Sequence, residues 1–338
     1  MPILVTGAAG FIGFHLCLRL LKNHHEVVGV DNLNDYYDIA LKKARLALLE
    51  SHSGFRFYKV DIANAEALTS VFEHHDITEV VNLAAQAGVR YSIENPDSYI
   101  DANVTGFLNI LKASTAHQVK HVVYASSSSV YGANTKQPLT ETDHTDHPLA
   151  IYPASKKMNE LMAHAYASLY QLPCTGLRYF TVYGPWGRPD MALFKFTKAI
   201  LASEPIDVYN NGEMVRDFTY VDDIVEGTIR ALKHPAQPDP NWNSDTPNPA
   251  ASYAPYRIYN IGNGNPTPLM DYIKALEEAL GKKATLNMMP MQQGDIPTTA
   301  ADTKLLEHDL GYKPAINVTE GVKRFVEWYQ DYFSDNTN

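Results

Sequence analysis

Pro2-Ile3-Leu4-Val5-Thr6-Gly7-Ala8-Ala9-Gly10-Phe11-Ile12-Gly13 opens the chain with a short apolar run, then three glycines at three-residue spacing, then an apolar helical pattern through Leu21. The run suits a buried parallel strand, so the order is strand, glycine turn, helix. Glycine lacks a Cβ, which lets the backbone turn tightly and approach a pyrophosphate whose charge is held by N–H groups at the helix N-terminus. The spacing Gly-x-x-Gly-x-x-Gly departs from the stricter Gly-x-Gly-x-x-Gly, so the flanking sequence has to support the reading. Glu26-Val27-Val28-Gly29-Val30 reads as a second strand and brings Asp31 to its end. A carboxylate there accepts hydrogen bonds from adenosine ribose hydroxyls and repels a 2'-phosphate, which favours NAD over NADP.

Working outward, strand-like runs recur near residues 55 to 60, 79 to 84, 120 to 126 and 173 to 179, with helical patterns between them. This alternation predicts an α/β fold, a doubly wound parallel sheet with helices on both faces and a ligand across the carboxyl ends of its strands. Asp61, Leu83 to Ala85 and Ser126 to Ser129 all fall at strand ends and are expected along one crevice. Beyond Gly184 the pattern loosens. Ala192 to Ser203 and Asp222 to Lys233 read as helices, Ile206 to Tyr209 as a short strand, and Thr319 to Phe333 as an amphipathic helix. The expected organisation is a Rossmann domain over residues 1–183 and a smaller C-terminal substrate-binding region over 184–338, with the chain able to cross between lobes. Pro235 to Pro255, rich in Pro, Asn and Asp, reads as a long surface loop, mobile or packed on a partner.

Tyr152 and Lys156, in Tyr152-Pro153-Ala154-Ser155-Lys156, stand four residues apart and so share one face of a helix. A tyrosine is a poor base at neutral pH unless a positive charge favours its phenolate, and the lysine is placed to supply one. The pair reads as a general base with its tuner. Ser126-Ser127-Ser128-Ser129-Val130-Tyr131-Gly132 sets four hydroxyls at the end of the fifth strand, a concentration that calls for something to hydrogen-bond.

Composition bounds the alternatives. The chain has 338 residues, 45% hydrophobic and 20% charged, with a formal net charge of −10. No Lys/Arg block marks a nucleic-acid or anionic-membrane surface, and no apolar stretch approaches a membrane span. The N-terminus reads as a core strand and not a cleavable signal, so a cytoplasmic location is expected. Cys17 and Cys174 are the only cysteines. They are too few for a disulfide framework or a cysteine zinc site, and the His24-His25, His74-His75, His144 and His147 groups lack converging ligands, so no metal is expected.

The glycine turn, the serine run ending in Val130-Tyr131-Gly132, the Tyr152/Lys156 pair, Arg216-Asp217-Phe218 and Tyr220-Val221-Asp222-Asp223 together resemble the extended short-chain dehydrogenases/reductases that act on nucleotide sugars. The resemblance covers nearly the whole chain. Within that family, Asp31-Asn32-Leu33-Asn34-Asp35-Tyr36-Tyr37, Ala84-Ala85-Gln86-Ala87-Gly88-Val89-Arg90 and Arg178-Tyr179-Phe180-Thr181-Val182-Tyr183-Gly184-Pro185-Trp186-Gly187-Arg188-Pro189 are most similar to UDP-glucuronate 4-epimerases. The resemblance implies tightly bound NAD, with Tyr152 removing the C4 hydroxyl proton, Ser127 holding the C4 oxygen and Lys156 holding the nicotinamide ribose. Cofactor contacts are expected at Gly7, Gly10, Phe11, Ile12, Gly13, Asp31, Asn32, Asp61, Ile62, Leu83, Ala84, Ala85 and Tyr179, besides Tyr152 and Lys156. Related dehydratases and decarboxylases carry an acid just after the active hydroxyl, where this chain has Ser128 and Ser129. Epimerases of neutral hexoses usually carry Asn where this chain has Thr181.

A 4-keto glucuronate loses CO2 readily when its C5–C6 bond stands perpendicular to the carbonyl plane, so an epimerase must forbid that geometry. Ser128, Ser129, Thr181 and Arg188 are the candidates for a carboxylate clamp. At the nucleotide end the resemblance assigns Arg216 to the diphosphate and Asp295, in Gln293-Gly294-Asp295, to the uridine ribose. Arg90 reads as a phosphate or carboxylate ligand or a surface ion pair, and Asn103 as a brace for the serine strand. The Tyr36-Tyr37 pair packs over the adenosine or covers a loop. Apolar faces over Pro96 to His117 and Ile151 to Gln171 suit a homodimer. The expected reaction is C4 epimerisation of UDP-glucuronate and UDP-galacturonate. The alternatives are epimerisation of neutral UDP-hexoses or UDP-N-acetylhexosamines, decarboxylation to a UDP-pentose, and a non-catalytic NAD sensor.

Overall fold

The N-terminal apolar run forms β1 (Ile3–Thr6), with all four residues buried. In the computed structural model, which describes residues 1–292 and 294–335, β1 pairs in parallel with β2 (Val27–Asp31) on one side and β4 (Glu79–Asn82) on the other. With β3 (Phe55–Lys59), β5 (His121–Ser127), β6 (Cys174–Tyr179) and a strand from much later in the chain, they make a seven-stranded sheet. Alternate residues serve opposite faces. Ile3 and Val5 pack with Phe14, Leu16 and Leu20 of α1 (Phe11–Lys22), whereas Leu4 packs with Val28, Val80 and Val122 on the opposite face. Burial of each such side chain stabilises the fold by about 1.5–3 kcal/mol.

The first half continues with α2 (Ile39–Glu50), α3 (Ala65–Glu73), α4 (Tyr91–Glu94), α5 (Asp97–Tyr99), a π-helical turn at Ile100–Thr105, α6 (Gly106–Ala116) and α7 (Ile151–Tyr170). The second half contains β7 (Thr181–Tyr183), α8 (Ala192–Ala202), β8 (Pro205–Val208), β9 (Val215–Arg216), β10 (Phe218–Tyr220) and α9 (Val221–Leu232). After these come β11 (Tyr256–Ile261), β12 (Thr267–Pro268), α10 (Leu269–Leu280), β13 (Thr285–Met288), α11 (Lys304–Leu310) and α12 (Val318–Asp335). The sheet order is β11-β6-β5-β4-β1-β2-β3. The strand order reverses between β1 and β4, and a crevice opens there at the carboxyl ends of the strands.

The chain crosses the expected boundary after residue 183. β11 pairs with β6 to complete the sheet, and α9 packs against α1. The remaining second-half elements form the smaller lobe, whose core residues Tyr272, Phe325 and Tyr329 are continuous with the α1 face of the sheet. The segment 235–255 is anchored on its own chain: His164 of α7 hydrogen-bonds Ser252 at 2.7 Å, and Ser168 hydrogen-bonds Tyr253 at 3.0 Å. Among the described residues no helix is long and apolar enough to cross a membrane.

Candidate functional site

One cleft of about 980 Å³ runs along the carboxyl ends of the strands and is lined by the glycine turn, the serine run, Tyr152, Lys156, Thr181, Arg188, Arg216 and Asp295. Its volume lies at the upper end of the range for ligand sites. At the cofactor end, Gly7 has φ +70°, and a Cβ there would lie 2.8 Å from the Ala84 nitrogen. A Cβ on Gly13 would meet the Gly7 carbonyl oxygen at 2.1 Å, so the helix can approach the turn this closely only with glycine. The N-cap of α1, Gly10, brings no side-chain cap, which leaves the first-turn N–H groups for an anion.

Asp31 ends β2 nearly buried. Its Oδ2 accepts from Ala9 N–H at 3.1 Å and its Oδ1 from Leu33 N–H at 2.8 Å, which ties the carboxyl to the glycine turn. Burial pushes its pKa up against these hydrogen bonds. Asn32 donates to Asp61 at 3.0 Å, and Phe11, Ile12, Ile62, Leu83, Ala84 and Ala85 line the same wall. Tyr179 borders the cleft, but its hydroxyl is hydrogen-bonded to Thr228 at 2.9 Å and its ring belongs to the core. Lys156 is 3% exposed, and among the described residues its three-donor ammonium has one acceptor, the Ala125 carbonyl at 2.9 Å. A buried cation with donors to spare, a glycine cradle and an uncapped helix start together fit a dinucleotide.

α7 places Tyr152 and Lys156 on one face as the spacing predicts, yet the charge effect differs from expectation. Burial raises the Tyr152 pKa, and the groups that oppose it are the Ser127 hydroxyl and the Arg188 guanidinium. Lys156 points at Ala125, and burial pulls its own pKa down to about 8. Ser127 and Arg188 are thus the groups of this chain that oppose the burial of the phenol. Ser127 ends β5 in extended conformation, and its hydroxyl lies 2.8 Å from that of Ser129. Ser126 turns away to Glu160 at 2.7 Å, so the run splits between structure and cleft. Glu160 in turn forms a buried pair with Arg178 at 2.8 Å, with Tyr131 over the guanidinium. Asn103 does brace, although its partners are Gln86 and Ser155 and not the serine strand.

Ser128, Ser129, Thr181 and Arg188 all line this same cleft. The loop that delivers Arg188 is pinned from behind. His15 donates to the Pro185 carbonyl at 2.8 Å, and the fully buried Arg45 donates to the Trp186 and Gly187 carbonyls at 2.6 and 3.3 Å. Arg45 also reaches the Ala9 carbonyl at 3.0 Å and the Tyr37 hydroxyl at 2.8 Å, which joins the glycine turn to this loop. Arg188 itself pairs with Asp190, its Nε donating to Oδ1 at 3.0 Å and its Nη2 to Oδ2. Burial alone would raise the Asp190 carboxyl, but the guanidinium outweighs it and holds the group below the usual carboxylate range. Tyr36 donates to the same carboxylate at 3.3 Å, so Tyr36 joins the Arg188–Asp190 pair and Tyr37 joins Arg45. Asp190 and Arg45 were not among the expected site residues, and Tyr36 was expected over the adenosine or a loop and not at Asp190. The short separation in Arg188-Pro189-Asp190 is the signal that could have found the first of them.

At the far end, Arg216 lies 3.4 Å from Asp295, Arg90 lies 3.8 Å from the same carboxylate, and Arg90 stands over the Tyr209 ring at 5.3 Å. The three expected residues thus converge, and Tyr209 joins them as a flat apolar wall. Gln293 lies outside the described residues. Among the described residues no three His, Cys, Asp or Glu side chains converge on a metal site.

The family model described as the NAD dependent epimerase/dehydratase family matches residues 3–262. A probable UDP-glucuronate 4-epimerase of Rhizobium meliloti (strain 1021) is 49% identical over 337 residues, covering 98% of both chains. Among solved structures, the UDP-glucuronic acid 4-epimerase of Bacillus cereus, in complex with UDP-glucuronic acid and NAD, aligns with a TM-score of 0.86 at 33% identity, over 98% of this chain and 100% of that one. A UDP-glucose 4-epimerase of Thermotoga maritima with UDP-glucose aligns with a TM-score of 0.85 at 31% identity, over 98% of this chain and 100% of that one. The glycine cradle, the acid closing β2, the Tyr152/Lys156 face and a family match across the whole sheet lead to one assignment: this chain belongs to the NAD dependent epimerase/dehydratase family, with NAD as its cofactor.

Proposed function

We propose that this protein is a UDP-glucuronate 4-epimerase, interconverting UDP-glucuronate and UDP-galacturonate by inversion at C4. The observation that carries the reading is a guanidinium, Arg188, set with Ser129 and Thr181 in the same cleft as Ser127 and Tyr152. Bound NAD would take the C4 hydride and return it to the opposite face of the sugar. Tyr152, as the phenolate, accepts the C4 hydroxyl proton and gives it back after the sugar has turned over. Ser127, which lines the same cleft as that phenol, fixes the C4 oxygen beside it. Lys156 supplies its spare donors to the cofactor ribose. Arg216, Arg90 and Asp295 hold the nucleotide while the sugar rotates, and Arg188 with Ser128, Ser129 and Thr181 fixes the plane of the carboxylate so that CO2 is retained.

A second reading, epimerisation of a neutral UDP-hexose, is favoured by one observation: Asp190 already neutralises Arg188. Supplying UDP-glucuronate and UDP-glucose separately and analysing the products by chromatography decides between them. Turnover of UDP-glucose without turnover of UDP-glucuronate sinks the first reading. The exposed apolar residues Ile100, Leu108, Met158 and Leu161 of the π-helical turn, α6 and α7 support a homodimer. Sedimentation equilibrium giving a monomer would remove it.

A further inference from the structure

A guanidinium has two hydrogen-bonding edges, a side edge of Nε with one Nη and an end edge of both Nη groups. Asp190 takes the side edge of Arg188 with both carboxylate oxygens, and the Tyr36 hydroxyl supports the pair through Oδ2. Among the described residues no carboxylate or carbonyl accepts from Nη1, so the end edge is left for the cleft that Arg188 and Asp190 line together. The backbone beneath is equally constrained. Trp186 has φ +59°, its ring packs against Trp328 and Tyr332 at 5.2 and 4.9 Å, and the preceding carbonyls are held by His15 and Arg45. With the main chain pinned and one edge occupied, the direction of the other edge is set.

We propose that Asp190 is the positioning residue for substrate recognition: by holding the side edge of Arg188 it aims the free end edge at the sugar's C6 carboxylate. The inference rests on the uronate reading above. It also removes the difficulty raised by the second reading, because one guanidinium can carry a carboxylate on each edge. Since the Arg188–Asp190 pair is neutral as a whole, what it offers a further carboxylate is directional hydrogen bonding more than net charge. That is the property needed to fix a plane. If the carboxylate is no longer held in place, the ring can repucker and bring the C5–C6 bond of the 4-keto acid perpendicular to the C4 carbonyl plane. That bond then breaks, its electron pair passes into the C4 carbonyl to give an enolate, C5 takes a proton, and C6 leaves as CO2.

The test compares wild type, D190N, D190A, D190E, R188A and the double variant R188A/D190N. The assay uses UDP-glucuronate and measures released CO2 and UDP-pentose against UDP-galacturonate, with KM alongside. D190N keeps the shape of the side chain and one acceptor oxygen but loses the charged fork. It is expected to raise the decarboxylated fraction and KM by about tenfold or more, the loss of one charge-assisted hydrogen bond. D190A should do so more strongly, and D190E should restore part of the wild-type ratio. In the R188A background D190N should change the ratio no further. An unchanged ratio in D190N with a lowered KM would overturn the proposal, because Asp190 would then be a competitor for Arg188. A further rise in the double variant over R188A would overturn it too, because Asp190 would then act without Arg188. Thermal unfolding and retained NAD report folding, and D190N carries the test if D190A does not fold. A wild-type enzyme that converts UDP-glucose and leaves UDP-glucuronate untouched fails the uronate reading itself, whatever the variants do.

Discussion

Arg45→Met removes a guanidinium that is fully buried and paired with no carboxylate. It keeps an unbranched stem of similar length. Four acceptors lose their donor: the carbonyls of Ala9, Trp186 and Gly187 and the Tyr37 hydroxyl. Each buried carbonyl left without a partner costs about 1–3 kcal/mol. Relief comes from no longer burying a cation whose Nε already lacks a partner, a penalty of several kcal/mol in its own right. The unpaired acceptors outweigh that relief, for a net loss of about 3–5 kcal/mol, out of a total stability of about 5–15 kcal/mol. Urea unfolding followed by tryptophan fluorescence measures this, since Trp186 sits on the affected loop. Because Arg45 joins the glycine turn to the Arg188 loop, the variant should also bind NAD more weakly and release more CO2 from UDP-glucuronate. A loss below about 1 kcal/mol, or a destabilised variant with unaltered NAD affinity and product ratio, would refute the view that Arg45 couples the two ends of the cleft.

Tyr152→Phe should retain NAD and lose turnover by at least about a hundredfold, the contribution of a placed general base; a variant of near-normal rate would give the proton transfer to another group, and one without NAD would make Tyr152 a binding residue. Glu141, 4% exposed, accepts from Asn260 N–H at 2.8 Å and has its pKa pushed up by burial to about 7, against an ordinary 4.5. Its folded pKa exceeds its unfolded one, so its stabilising contribution is complete below pH 4.5 and is lost as pH rises through 7, a change of about 3 kcal/mol. Glu141→Gln keeps an acceptor for Asn260, so thermal unfolding should show it gaining on the wild type above pH 7 and not below pH 5. Parallel pH profiles for the two proteins would contradict this.

The features that could be read in advance are the local ones. Gly7, Gly10 and Gly13 show up in sequence because a turn excludes a Cβ within a few residues, and Tyr152 and Lys156 because a helix brings positions four apart together. β11 was not visible: it follows a proline-rich segment and lies far along the chain from the strand it joins, so its pairing with β6 arises only in three dimensions. Arg45 and His15 read as ordinary polar positions of amphipathic helices until the loop at 185–187 folds over them. The part of Arg188 was hidden for a similar reason. Spacing places Lys156 on the face of the phenol, whereas Arg188, which also favours the phenolate, comes from a different part of the chain.

The central claim is that this cleft inverts C4 of a uronic acid sugar without losing its carboxylate. Proton NMR of wild-type protein incubated with NAD and UDP-glucuronate tests it most directly. The account predicts growth of the UDP-galacturonate anomeric signal to an equilibrium mixture, with neither UDP-pentose nor accumulated NADH. A spectrum that stays unchanged with UDP-glucuronate while UDP-glucose is converted to its C4 epimer would contradict it.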